Sequence, residues 1–415
     1  MRLAWTNLSW PGSRFVGVLA VGVGAAAVSA GAAVTEPRAN HAISAQTCVW
    51  RTTPTANPHP LLYNRFNSVA ATSPDAAWAV GDYYSGTEGG PHGAFIERWD
   101  GHRWRLATVP LPGGADLWSV AASGARDVWA VGATEGDGQL IEHWDGARWQ
   151  IAPAPHPLAS ILFAVAARTP RDAWAVGTHN RGSGGKTLIE HWNGTRWSVV
   201  PSPSPPAARG RRRYATLRTV SVISRTNAWA AGYWGTAGYS GTVPPPATRT
   251  LIEHWDGRGW SIAPSPNVRT ARGVTNDILF SISGSRQGDV WAVGSWGSLP
   301  NQYGGKGDHA LALRWDGRRW LRVPTRSLAE RSLLSGVLVR YGQTWAVGDR
   351  RVQPHQTTLI EHWDRRSWSV VRSPSGFALA AISALRARRC GRWARTAGAR
   401  WPYAADLPLY ERSDV

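Results

Sequence analysis

Val128-Trp129-Ala130-Val131-Gly132, a short loop, Leu140-Ile141-Glu142-His143-Trp144-Asp145-Gly146, then Trp149: this stretch decides the fold, because the chain repeats it. Trp-Ala-Val-Gly recurs at Trp78, Trp174, Trp291 and Trp345, with Trp229-Ala230-Ala231-Gly232 as a variant. A second element follows each copy. It runs from Phe95 to Gly101, Leu188 to Gly194 and Leu251 to Gly257, and more loosely through Trp315-Asp316-Gly317 and Trp363-Asp364-Arg365. A further tryptophan always lies five residues on, as Trp104 follows Trp99 and Trp149 follows Trp144.

Fixed-period self-similarity signals a repeat architecture, and an interval of about 45–60 residues suits a four-stranded propeller blade with loops. Each unit reads as strand a (such as Ser68 to Ala71), strand b (Trp-Ala-Val), strand c (Leu-Ile-Glu-His-Trp) and strand d with the last Trp. Asp-Gly between c and d predicts a two-residue hairpin turn. The Trp residues are expected to pack one blade on the next, each burying roughly 150–250 Å².

Six units are plain. The termini suggest a seventh: Cys48 to Pro54 has the form of a strand d and its exit, with Trp50 in the role of Trp104. Ala380 to Leu385 has the form of strand a, and Leu409 to Arg412 of strand c. The expectation is an all-β, seven-bladed β-propeller of four-stranded blades over residues 46–415. Its last blade is shared between 48–54 and 378–415 and closed by the N-terminal strand, which would remove free sheet edges. Strand b of that blade is missing; Cys390-Gly391-Arg392-Trp393 stands there, which is Val-Trp-Ala-Val-Gly read one base out of frame. Two readings stay open, a frame slip within 386–408 and a Cys48–Cys390 disulfide.

Residues 1–45 are expected to be a signal peptide or N-terminal anchor. Arg2 and Arg14 precede an apolar run over 15–34, followed by small-residue sites ending at Ala30 and Ala45. The expected location is extracellular, either secreted or anchored by residues 15–34, with no other membrane contact. The net charge of +19 is almost all arginine, since Lys186 and Lys306 are the only lysines. It fits either an anionic partner or a solvated surface encoded by a GC-rich genome. No nucleic-acid motif accompanies it, so no nucleic-acid partner is expected.

Strand-c Glu-His pairs recur in four units (Glu142-His143, Glu190-His191, Glu253-His254, Glu361-His362), so they read as structural hydrogen bonding within a blade. No metal-binding His spacing, nucleophile elbow or phosphate loop is present, and neither cofactor nor metal is expected. Asn193-Gly194-Thr195 has the glycosylation pattern but aligns with the Asp-Gly turns. Chemistry is expected where the repeat varies, in the b–c loops. There Tyr83, Tyr84, Tyr233, Trp234, Trp296, Tyr303 and His309 are the candidate ligand-binding residues, since aromatics among Gly, Asn and Asp suit sugar stacking.

These units resemble the tryptophan-rich propeller repeats of secreted actinobacterial proteins. The order Trp-Ala-Val-Gly, Leu-Ile-Glu-His-Trp-Asp-Gly, Trp is also similar to tectonin-type lectin repeats and to Asp-box hairpins, though without the Asp-box Ser and spacing. The resemblance implies a propeller and leaves the activity open. The functional expectation is a monomeric, non-catalytic recognition module for a glycan or anionic cell-envelope polymer. The alternatives are a polysaccharide hydrolase or lyase using Glu88, Asp137 or Asp308, and a protein-interaction scaffold.

Overall fold

The computed structural model describes Leu19–Ala20 and residues 52–383, apart from 57, 60–61, 86–89, 137, 156, 158, 180–184, 206–212, 237–247, 271–272, 287, 298–308, 327–330, 341, 353–354 and 374–377. Both cysteines, the region 386–408 and most of the expected export segment lie outside the described residues.

Among the described residues the chain forms six four-stranded antiparallel sheets, each in the order a-b-c-d. Strands a are Tyr63–Ser73, Asp116–Gly124, Ile161–Thr169, Arg213–Ser224, Asn276–Arg286 and Arg331–Arg340. Strands b are Ala76–Tyr84, Asp127–Thr134, Asp172–His179, Asn227–Thr236, Asp289–Gly297 and Gln343–Val352. Strands c are His92–Trp99, Gly138–Trp144, Lys186–Trp192, Arg249–Trp255, His309–Trp315 and His355–Trp363; three-residue strands d begin at Trp104, Trp149, Trp197, Trp260, Trp320 and Trp368.

This corrects the expected seven blades to six. The reason lies in strand b: it bonds to a on one side and to c on the other, and after Trp345 the chain has no further Trp-Ala-Val-Gly to take that place. Closure by an N-terminal strand d is not found among the described residues, and Cys48 to Arg51 lie outside them. Ile382–Ser383 pairs instead, in parallel, with Leu19–Ala20. The segment 378–383 bridges the last and first blades: the Leu379 N–H donates to the Gly348 carbonyl at 3.2 Å, and the Ala71 N–H donates to Ser383 Oγ at 3.1 Å.

The inner strands are tied by one recurring bond. A backbone N–H of blade 2, 3, 5 or 6 donates to a hydroxyl of the blade before it: Val120 to Ser68, Val165 to Ser119, Ile282 to Thr219 and Val337 to Ser281, at 3.0–3.2 Å. The hydrophobic contact between blades is the tryptophan set. Trp78 packs on Trp144 and Trp149 of blade 2, with ring centroids 4.9 and 5.1 Å apart. Trp129, Trp174, Trp229 and Trp291 repeat this on the blades that follow. One neighbour is tilted and the other edge-on, the arrangement aromatic quadrupoles prefer.

The c–d turns differ from expectation. Trp99 pairs with Trp104, so the loop holds four residues rather than two. The Asp bends it through its side chain: Asp145 Oδ1 accepts from the Ala147 and Arg148 N–H groups at 2.8 and 2.9 Å. Those donors hold the Asp145 carboxyl below the usual range, as equivalent donors do for Asp256, Asp316 and Asp364. Asn193 takes the same place and accepts from the Thr195 and Arg196 N–H groups, so this triplet is a turn. Only the residue after the Asp or Asn has positive φ, from 92° to 100° at Gly101, Gly146, Gly194, Gly257 and Gly317.

Blade 6 puts Arg365 there instead, at φ 81°. A side chain in the left-handed region costs about 1–2 kcal/mol, partly offset by glycine's greater unfolded entropy. Arg365→Gly is therefore expected to stabilise by about 0.5–1 kcal/mol and Gly257→Ala to destabilise by a similar amount or more. Thermal melts of the two variants check this; shifts of the same sign would refute it.

Candidate functional site

Three places combine concavity or symmetry breaking with polar chemistry. The first is the expected b–c rim, and its aromatics have partners inside the protein. Tyr83 lies against His59 with ring centroids 3.9 Å apart, and Tyr84 stacks on Tyr63 at 5.3 Å. Tyr233 meets Tyr214 edge-on at 6.0 Å. Trp234 carries the guanidinium groups of Arg213 and Arg249 over its ring at 4.7 and 5.4 Å. Trp296 lies between His309 at 4.6 Å and Arg322 at 5.0 Å. All six described candidates are half-buried. Blades 1, 4 and 5 hold them in separate pairs and clusters. Tyr303 and the carboxylates Glu88, Asp137 and Asp308 lie outside the described residues.

The second place is the cleft between blades 1 and 2. It encloses about 760 Å³ over the seam where Trp78 packs on Trp144 and Trp149, and is lined also by Arg98, Asp100, Arg105, Arg148 and the 106–110 linker. The equivalent cleft between blades 2 and 3 encloses about 250 Å³. Two substitutions beside the strand-b tryptophan distinguish them. Blade 2 has His143, which stacks flat on Trp129 at 3.9 Å and bonds Asp127 at 2.8 Å. Blade 1 has Arg98, and Ala76 where Asp127 would be. Arg98 is exposed and lies 5.4 Å from the Trp78 ring and 5.7 Å from the Trp144 ring, so it spans both walls. Among the described residues its guanidinium has no hydrogen bond or ion pair, which leaves its donors to a ligand.

The Glu-His pairs of strand c are structural, though not only within a blade. His143, His191, His254 and His362 bond Asp127, Asp172, Asn227 and Gln343 of their own strand b. The glutamates point between blades, wholly buried, and accept from preceding chain: Glu97 from the Ala56 N–H, Glu190 from Gln139, Glu253 from Ser202 and Glu361 from the Arg326 N–H. Glu142 has no partner for either oxygen among the described residues. Burial pushes its carboxyl up to about 8, that of Glu253 to about 8 and that of Glu190 to about 7. Among the described residues no group of three His, Cys, Asp or Glu is placed to hold a metal ion.

The third place escaped sequence reading. Each strand a carries an extra residue opposite strand b in its first half, a β-bulge, at Asn67, Trp118, Phe163, Arg218, Phe280 and Ser335, and all but the last strand carry a second near the a–b turn. The bulge explains the glycine of Trp-Ala-Val-Gly. It drives a strand-a carbonyl into strand b, where a Cβ at Gly132 would collide with the Asp116 carbonyl oxygen, and every blade repeats the contact. The residues before the bulge are apolar and those after it small, whereas the bulged residue differs from blade to blade. An apolar-variable-small triplet ahead of each Trp-Ala-Val-Gly was the available signal.

The bulged residues reach toward the next blade along the inner wall. Asn67 donates to the Leu117 carbonyl at 2.9 Å and to Asp82 at 2.9 Å. Trp118 lies 4.9 Å from Phe163 at 30°, and the Arg218 guanidinium sits 4.2 Å from the Phe163 ring centroid. Above Asn67, Asp82 is paired with Arg65 at 2.8 Å, while burial, reinforced by Asp82, pushes the Asp116 carboxyl up to about 6.

No protein-family model and no curated protein matches the chain. Solved structures do. A polysaccharide lyase of the ulvan-lyase family PL25 is 12% identical with a TM-score of 0.51, covering 80% of this chain and 86% of its own. The SapL1 lectin in complex with alpha methyl fucoside is 11% identical with a TM-score of 0.44, covering 76% and 98%. A fungal lectin from Aleuria aurantia, titled as a six-bladed β-propeller, is 11% identical with a TM-score of 0.44, covering 76% and 96%. At these identities the likeness is one of fold.

Proposed function

We propose that this propeller is a non-catalytic recognition module for glycans, acting outside the cytoplasm as its N-terminal segment leads one to expect. The observation that carries the reading is the blade 1–2 cleft. Its volume is that of a small-ligand site, the half-buried Trp144 lines it, and the exposed Arg98 guanidinium has no bond to another described residue. Pyranose rings present apolar C–H faces and a hydroxyl rim, which match an indole wall and free guanidinium donors respectively. The propeller lectins among its structural neighbours make glycan binding a plausible use of this scaffold. The rim aromatics enter as a second contact surface.

Arg98→His tests the cleft while sparing the frame, because four other blades carry His at this position on the same Trp. The wild-type chain is expected to bind a subset of a glycan array, and Arg98→His to weaken that binding about tenfold, the value of one or two hydrogen bonds to a charged donor. Trp234→Ala and Trp296→Ala run alongside report on the rim. Undiminished binding by Arg98→His would remove the cleft as the site. An array with no hits for the wild type would end the glycan reading.

A further inference from the structure

We propose that the inner wall formed by Trp118, Phe163 and Arg218 binds the carboxylate of a uronate residue, with the sugar ring against the aromatic pair. This rests on the glycan reading above and gives it a second, charge-selective site in the central channel.

The bulge position varies between blades where the residues beside it repeat. The residues on either side repeat because they fill the core and tie neighbouring inner strands, whereas the bulged residue is Asn, Trp, Phe, Arg, Phe or Ser in turn. Three successive blades use it to build one surface, with Trp118 on Phe163 and Phe163 under Arg218. A guanidinium over an aromatic ring keeps N–H donors that the ring does not use, and two of them side by side receive a carboxylate through parallel bonds.

Among the described residues Arg218 has no ion pair and no hydrogen bond. It is deep in the protein yet half reachable by water, as a channel wall is. Burial holds its guanidinium below the ordinary arginine value, opposed in part by Tyr233, with a smaller effect of Arg65 in the same direction as burial. Elsewhere on the inner wall Asp82 holds Arg65 and Asn67, and burial raises the Asp116 carboxyl to about 6. An anion entering the channel therefore meets uncompensated positive charge. The aromatic wall beside it selects one carried on a ring with an apolar face, and a hexuronate has both parts on one residue.

The test is calorimetric titration of the full chain with an oligouronate, with its carboxyl-reduced neutral counterpart, and with acetate. The oligouronate is expected to bind about tenfold more tightly than the neutral chain, and to lose that advantage as salt rises from about 0.05 to about 0.5 M. Arg218→Gln is expected to abolish the preference, and Arg218→Lys to retain part of it through charge alone, with melting curves confirming the fold of each. Arg98→His should weaken both oligosaccharides alike. Equal affinity for acidic and neutral chains, or a preference that survives Arg218→Gln, overturns the inference and leaves the glycan reading standing. Acetate binding as tightly as the oligouronate also overturns it, reducing the site to a simple anion hole. Failure of every oligosaccharide to bind overturns both.

Discussion

Glu142→Leu raises the stability of this protein, and raises it more as the pH goes up. Glu142 is fully buried, and neither carboxyl oxygen has a partner among the described residues. Its folded-state pKa is about 8 against an ordinary 4.5. Below pH 4.5 both folded and unfolded chains carry the proton and titration costs nothing. Between 4.5 and about 8 the unfolded chain has released it and the folded chain has not, so folding binds a proton and stability falls as pH rises. Above about 8 the loss is complete. Glu190 and Glu253, also raised, add slopes of the same sign.

Leucine is the replacement the chain itself supplies. Blade 5 has Leu313 opposite Ala292 where blade 2 has Glu142 opposite Ala130, and Leu313 is wholly buried. The expected gain is about 2–4 kcal/mol at pH 8, shrinking to about 1 kcal/mol at pH 5. Denaturant titrations at the two pH values read it directly. A loss of stability at pH 8, or a gain independent of pH, would show that Glu142 has a partner and is ionised. Glu253→Leu is the contrasting variant, since it removes a hydrogen bond from the Ser202 hydroxyl and should gain less.

Trp129→Ala is expected to be the most damaging single truncation, at about 3–5 kcal/mol. Trp129 is 1% exposed. It closes one interface alone, with His143 stacked on one side and Trp192 and Trp197 of blade 3 at 4.9 and 5.1 Å. Its indole N–H has no hydrogen-bond partner among the described residues, so the ring's area and shape are what it supplies. Trp129→Phe should therefore cost much less. Leu106→Ala, at an outer-strand position 47% exposed, should change stability by less than about 0.5 kcal/mol. Urea midpoints of the three variants decide; a Trp129→Ala cost near that of Leu106→Ala would mean that the blades do not depend on this contact.

Strands b, c and d were legible because each is marked by a tryptophan that must be buried, and burial by stacking enforces the same residue at every repeat. The Asp of the c–d turn was visible for a similar reason, although its role is to bend a four-residue loop with its side chain rather than to adopt a rare backbone conformation. The seven-blade expectation failed because terminal segments such as Ala380 to Leu385 carry the composition of a strand without the partners a sheet requires. The rim aromatics were visible as residues, but their arginine and histidine partners were not. Arg213 and Arg249 face Trp234 only through the register of three paired strands, which places Ala215 and Arg249 on either side of it. The inner-wall bulges were hidden because an inserted residue breaks the alternation by which strands are recognised. Arg98 stood in plain sight as a departure from His, but its meaning needed the two tryptophans between which it lies.

The bulges also separate two kinds of inheritance. Most positions in a blade answer to neighbours on both sides, so a change in one unit needs a matching change in the next. The inserted residue sits on a kink created by backbone and by the facing glycine, and its side chain leaves the sheet on the open side. Such addresses can be rewritten with less retuning of the stack than a core position, least freely at Asn67 and Ser335, which bond neighbouring backbone. A scaffold built this way can exchange its recognition chemistry faster than its architecture, and designed libraries confined to residues 67, 118, 163, 218, 280 and 335 would sample that freedom directly.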